Sequence, residues 1–122
     1  MVYTGTHDND TTLGWWNSGA SENERRAVQA YVGPNGDGIH WAFIRLAQAS
    51  VASLSVVPLQ DVLGLGSDAR LNTPSLSEGN FRWRYQPGAL TRDLAEKLAA
   101  LAEVTDRLPQ AVPVPPEEDF AA

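Results

Sequence analysis

Residues 39–50 are the most demanding stretch of this sequence. Apolar side chains stand at 39, 42, 43, 46 and 47, and Trp41 and Ile44 fill the other side. A helix that is apolar nearly all round is a buried helix, so it needs partner surface on every side. The rest of the chain offers little of it. Met1 to Thr6 is β-branched and aromatic and reads as a short strand, and Leu54 to Pro58 reads as a second. A strand, two helical segments and a second strand make a βαβ unit, for which parallel pairing is the natural reading. Two strands cannot stand alone as a sheet, and 122 residues bury only a modest core. The sequence therefore reads as part of a larger α/β core, whose unpaired strand edges predict poor solubility in isolation.

The other elements are marked by local signals. Ser21-Glu22-Asn23-Glu24 fits a capping box, and Ala27, Val28 and Tyr31 follow at helical spacing. The run Gly33 to Gly38 is a turn by composition and lacks the ligand spacing of a calcium loop. Leu59 to Pro87 is long and irregular, rich in Gly, Asn and Ser, and such loops are often functional when ordered. Thr91 to Arg107 predicts an amphipathic helix with Leu94, Leu98, Leu101 and Leu108 on one face. Residues 109–122, proline-rich and acidic, read as a flexible tail behind a single unit over residues 1–108.

Charge and composition narrow the function. A net charge of −6 repels polyanions, so nucleic acid is not an expected partner, whereas neutral sugars are not disfavoured. The chain has no cysteine, which excludes disulfides and thiolate metal sites. No stretch approaches the roughly 18 apolar residues of a membrane span, and Met1 to Thr12 has no signal-peptide pattern. The expectation is a cytoplasmic protein with no membrane partner.

Three clusters can carry chemistry. Thr6-His7-Asp8-Asn9-Asp10-Thr11 leaves the first strand at its C-terminal end, where barrels and doubly wound folds place their active sites. There Asp8 can face a developing cation and His7 can donate to a substrate hydroxyl. A plain Asx-type turn, or a hard-metal site built from Asp8, Asp10 and Asn9, fits the same residues. Gln60 and Asp61 follow the second strand, at the position Asp8 has relative to the first; Asp61 can equally cap a short helical turn. Arg70-Leu71-Asn72-Thr73-Pro74 and Asn80-Phe81-Arg82-Trp83-Arg84-Tyr85 can grip or stack on sugar rings. The same aromatics can stack on bases, or alternate as strand-like packing residues with the arginines facing water. Trp15-Trp16 reads as a packing anchor, and His40, in a helix of core character, has no catalytic role in this reading.

Together, Tyr3 to Trp16, Val57 to Gly66, and Asn72-Thr73-Pro74 with Gly79 to Arg84 resemble three segments of the 4-α-glucanotransferases, the amylomaltase or disproportionating-enzyme family. The resemblance implies an α/β fold, the C-terminal portion (last two βα units) of a (β/α)8 TIM barrel that typically needs about 250 residues. It implies transfer of 1,4-α-glucan segments by a retaining double displacement without metal or other cofactor. The nucleophile and acid/base lie on earlier strands, in a missing N-terminal part of the barrel. Asp8 falls in the role of the carboxylate that stabilises the transition state, His7 grips the same sugar, and Asn72 contacts a neighbouring one. Retaining chemistry needs two carboxylates about 5 Å apart, so the chain alone is expected to be inactive on maltooligosaccharides. The alternatives are a non-catalytic glucan-binding or interaction module, and a metal-dependent hydrolase using His7, Asp8 and Asp10. Two departures from the family pattern stand out: the residues after Pro74 are Ser75-Leu76 in place of Gly-Thr, and Phe81 replaces a usual tryptophan.

Overall fold

The structure, a computed structural model, describes residues 1–34 and 36–109. Most of the proposed tail lies outside the described residues. In chain order the elements are β1 (Val2–Tyr3), α1 (Thr12–Gly14, running on through a π turn at Trp15–Gly19), α2 (Glu22–Val32), α3 (Ile39–Ala49), β2 (Ser55–Val56), α4 (Leu59–Val62), a 3₁₀ turn at Ser67–Ala69, and α5 (Arg92–Val104). β1 and β2 pair in parallel, Val2 opposite Ser55 and Tyr3 opposite Val56, and the Val2 amide donates to the Leu54 carbonyl at 2.8 Å. The expected parallel βαβ unit is present, but each strand is two residues long, well short of the sequence reading. A strand is only as long as its partner allows, and each of these two is paired along one edge among the described residues.

The helices follow their local signals closely. At α2 the Ser21 hydroxyl accepts from the Glu24 amide, and the Glu24 carboxylate accepts from the Ser21 amide, both at 3.1 Å. The stripe of α2 is nevertheless uncovered: no residue of this helix is buried, and Tyr31 is 78% exposed. On α3, Ile39, Trp41, Ala42, Ile44 and Ala47 are buried, which makes it the centre of the core. Trp41, Ile44 and Val62 form the buried cluster, with Val57, Leu59, Leu94, Leu98 and Leu101 packed against it. The fourth leucine expected on the α5 face, Leu108, lies beyond the helix end and is exposed. Arg107 instead ties α5 back to the core. Its guanidinium donates to the carbonyls of Gln48 (2.6 Å), Ser50 (3.1 Å) and Ala52 (2.8 Å), supplying donors where α3 runs out of its own.

Not all of α3 is covered. Leu46 is exposed, as are Met1, Tyr3, Leu54 and Val56 around the short sheet. The apolar all-round pattern is thus satisfied on the α1, α4 and α5 sides and open beside β1.

His40 wedges against the loop after α4. A β-carbon on Gly64, whose φ is +67°, would lie 2.8 Å from His40 Nε2, so the backbone there can approach only as glycine. Burial first, and then the charge of Lys97, push the His40 imidazole below its ordinary value of 6.5, while Asp61 and Asp37 pull it up. Because the folded chain holds the proton less well than the unfolded one, unfolding takes up a proton as pH falls below about 6.5. Stability is then complete above that pH and declines below it. The thermal midpoint is expected to drop between pH 7.5 and pH 5, and His40→Asn is expected to flatten that slope; an unchanged slope in the variant would refute the assignment.

Candidate active site

The segment between β1 and α1 is shaped by its own short polar side chains. Asn9 Oδ1 accepts from the Thr6 amide (2.8 Å) and the Thr6 hydroxyl (3.0 Å), closing a turn that pushes His7 and Asp8 outward. Both are about half exposed, with His7 Nε2 3.4 Å from Asp8 Oδ1. The turn reading and the site reading therefore hold for different residues of one loop: Thr6 and Asn9 build the turn, and His7 and Asp8 are presented by it.

Two other carboxylates of the sequence reading are consumed by the scaffold. Asp10 accepts from the Thr11 amide and the Ser67 hydroxyl, both at 2.8 Å. Any β-carbon at Gly14 would collide with Asp10 and Ser67, so a glycine is required where α1 passes them. Asp61 is 2% exposed. It accepts from the Thr4 hydroxyl (2.6 Å), the Thr12 amide (2.8 Å) and the Thr12 hydroxyl (2.9 Å). Asp61 was expected at the same rim as Asp8. It lies inside α4 and clamps both ends of the Thr4–Thr12 loop from within, because two threonines and a buried amide supply the donors that let it leave water. Gln60 likewise turns to the scaffold, donating to the Ala69 carbonyl at 3.2 Å. Among the described residues no group of three His, Cys, Asp or Glu side chains could hold a metal ion.

The third cluster does meet the first. Asn72 Nδ2 donates to Asp8 Oδ1 at 2.5 Å across 64 positions of sequence. Arg70 joins the two segments: its guanidinium donates to the backbone carbonyl of Asp8 (2.7 Å) and to that of Asn72 (2.8 Å). Asp8, His7 and Asn72 are thus brought together. Arg70 was named in the motif but not singled out, and its position two residues before Asn72 was the available signal. Asp8 Oδ2 accepts no hydrogen bond among the described residues, so one carboxylate oxygen is held and the other is open. Beneath the loop is a cavity of about 220 Å3 lined by Gly5, Thr6, His7, Gln60 and Arg70 among others.

Phe81 is the residue that spacing could not have placed. It stands in no strand, which removes the alternating-strand reading of 81–85. Its φ is +58°, a region unfavourable for a residue with a bulky side chain. The Asn80 side chain holds the bend by accepting from the Thr73 amide (2.9 Å) and donating to the Leu76 carbonyl (3.0 Å), and the Phe81 amide donates to the Leu71 carbonyl (2.7 Å). The result sets the Phe81 ring 5.9 Å from the His7 ring. Phe81→Gly is expected to be more stable than Phe81→Ala by about 1 kcal/mol, since a left-handed backbone penalises a β-carbon and not glycine. Equal urea midpoints for the two would show the backbone to be unstrained.

A parallel strand pair flanked by helices, with a carboxylate, an imidazole and an amide gathered beyond a strand's C-terminal end, is an α/β arrangement whose polar cluster sits where such folds hold their sites. The sequence profile of the 4-alpha-glucanotransferase family matches residues 1–91. The chain belongs to that family. It is 50% identical over 108 residues to a 4-alpha-glucanotransferase of Synechocystis, covering 88% of this chain and 21% of that protein. With the Thermus thermophilus 4-alpha-glucanotransferase it shares 46% over 114 residues, 88% of this chain and 23% of the relative. A chloroplastic/amyloplastic 4-alpha-glucanotransferase of Oryza sativa is 46% identical over 105 residues, 85% of this chain and 18% of its own length. Among solved structures, amylomaltase from Streptococcus agalactiae in complex with acarbose superposes with a TM-score of 0.81 at 26% identity, covering 87% of this chain and 22% of that one. The chain spans about a fifth of the length of the relatives it matches.

Proposed function

We propose that residues 1–108 form the last two βα units of a (β/α)8 barrel that transfers 1,4-α-glucan segments to an acceptor by a retaining double displacement. In this reading Asp8 is the carboxylate that stabilises the oxocarbenium-like transition state, and His7 and Asn72 bind the substrate. The nucleophile and the acid/base come from barrel segments outside these 122 residues. The observation that carries the reading is the Asn72–Asp8 hydrogen bond, which joins two family motifs at the C-terminal end of β1 and leaves Asp8 Oδ2 open.

The chemistry follows from what each group can do. As the glycosidic bond lengthens, positive charge builds at the sugar's anomeric carbon and ring oxygen. A carboxylate held in place stabilises that charge without having to reorganise. Asn72 and Arg70 supply the holding, and His7, beside Asp8, is placed to donate to a sugar hydroxyl. No metal or other cofactor is needed for this chemistry. Among the described residues Asp8 is the only one of the three candidate carboxylates with an oxygen that accepts no hydrogen bond, whereas retaining transfer needs a pair about 5 Å apart. That favours a second reading for the chain in isolation, a module that binds glucan without turning it over.

Incubation with maltotriose tests both. The chain alone is expected to release no glucose and build no longer maltodextrins. A chimera that places it behind the N-terminal four fifths of the Synechocystis relative is expected to do both. Transfer by the chain alone, lost in Asp8→Asn, would show that carboxylates within it suffice; an inactive but folded chimera would overturn the barrel reading. Among the described residues no helix is long and apolar enough to cross a membrane.

A further inference from the structure

A second cavity, of about 640 Å3, shares no lining residue with the one beneath the Asp8 loop. It lies between the 3₁₀ turn, the segment 83–89 and the first turn of α5, and its volume is within the usual range for small-ligand sites. Trp83 and Tyr85 contribute two aromatic rings, Tyr85 being 52% exposed, and Leu94 of α5 adds an apolar wall. Arg84, Gln86 and Asp68 line the same cavity. Neither Arg84 nor Asp68 enters an ion pair among the described residues, and Gln86 makes no side-chain hydrogen bond there.

Ring faces next to unpaired planar donors and acceptors suit a ligand that alternates apolar faces with hydroxyl groups. One guanidinium and one carboxylate leave the groove without net charge. With the chain at −6, that disfavours a phosphate-bearing ligand and favours a neutral one. We propose that this groove is a second, non-catalytic glucan-binding site. Trp83 and Tyr85 stack on sugar rings, and Arg84, Gln86 and Asp68 bond their hydroxyls. Only the choice of glucan as the neutral oligosaccharide rests on the function proposed above.

Electrophoresis of the 122-residue chain at sub-micromolar concentration, through native gels cast with and without soluble starch, tests this directly. The chain is expected to be retarded by starch and released by maltoheptaose. Tyr85→Ala and Arg84→Gln, both at exposed positions, are expected to weaken retardation at least fivefold with unchanged circular dichroism, and Trp83→Ala to abolish it. The double variant Asp8→Asn/Asn72→Ala is expected to keep it. Retardation lost only in that double variant would overturn the second site and leave the Asp8 reading intact. Retention by the groove variants, or no retardation of the unaltered chain, would also overturn it. The Asp8 reading is judged independently, by transfer in the chimera.

Discussion

Asp8→Asn is expected to lower kcat for glucan transfer by about 10²–10³-fold in the chimera, the usual loss when one preorganised charge-stabilising group is removed. The substitution is nearly isosteric. Its amide oxygen can still accept from Asn72 Nδ2, so the contact at 2.5 Å need not collapse. What disappears is the negative charge opposite a sugar that becomes cationic only in the transition state. KM is therefore expected to change little, because ground-state maltotriose is neutral and gains little from the charge. Initial rates over a range of maltotriose concentrations separate the two parameters. A large rise in KM with kcat preserved would recast Asp8 as a binding residue. A fall of less than about tenfold in kcat would remove it from the transition state altogether.

Asp61→Ala is expected to destabilise the chain by about 3–5 kcal/mol, although this carboxylate never meets the substrate in our reading. Its two oxygens serve three donors, the Thr4 hydroxyl and the Thr12 amide and hydroxyl, at a site that is 2% exposed. Alanine strands all three, and an unsatisfied buried donor costs about 1–3 kcal/mol. Asp61→Asn keeps an acceptor for the Thr12 amide, and its NH2 faces the Thr4 and Thr12 hydroxyls, which must turn round from donating to accepting, so it should fall between alanine and the parent. Urea unfolding at sub-micromolar concentration, followed by tryptophan fluorescence, reads the difference. A loss below about 1 kcal/mol in the alanine variant would mean that the Thr4–Thr12 loop is not held by this clamp.

The two aspartates show why one position was legible in the sequence and the other was not. Both follow a strand, and both sit in motifs that resemble the glucanotransferases. Asp8 lies in a turn written locally by Thr6 and Asn9, so its outward presentation follows from residues one or two positions away. Asp61 belongs to α4, and its role is set by Thr4 and Thr12, 57 and 49 positions earlier. No local pattern distinguishes a carboxylate facing solvent from one facing two distant threonines.

The same distinction runs through the whole molecule. By itself the sequence determined the helices at 22–32, 39–49 and 92–104, the parallel order of the strand pair, and the family. Capping boxes, apolar periodicity and contiguous motifs act over a few residues and need no knowledge of the fold. Only the tertiary structure decided that the strands would be two residues long, that the stripe of α2 would stay uncovered, and that Arg70 would bind Asp8 and Asn72 together. It also decided that Phe81 would be bent into a left-handed backbone beside His7. Each of these depends on whether a partner from a distant part of the chain is there to pair, cover or donate, and hydrogen bonds and burial between remote segments leave no periodic trace in the sequence.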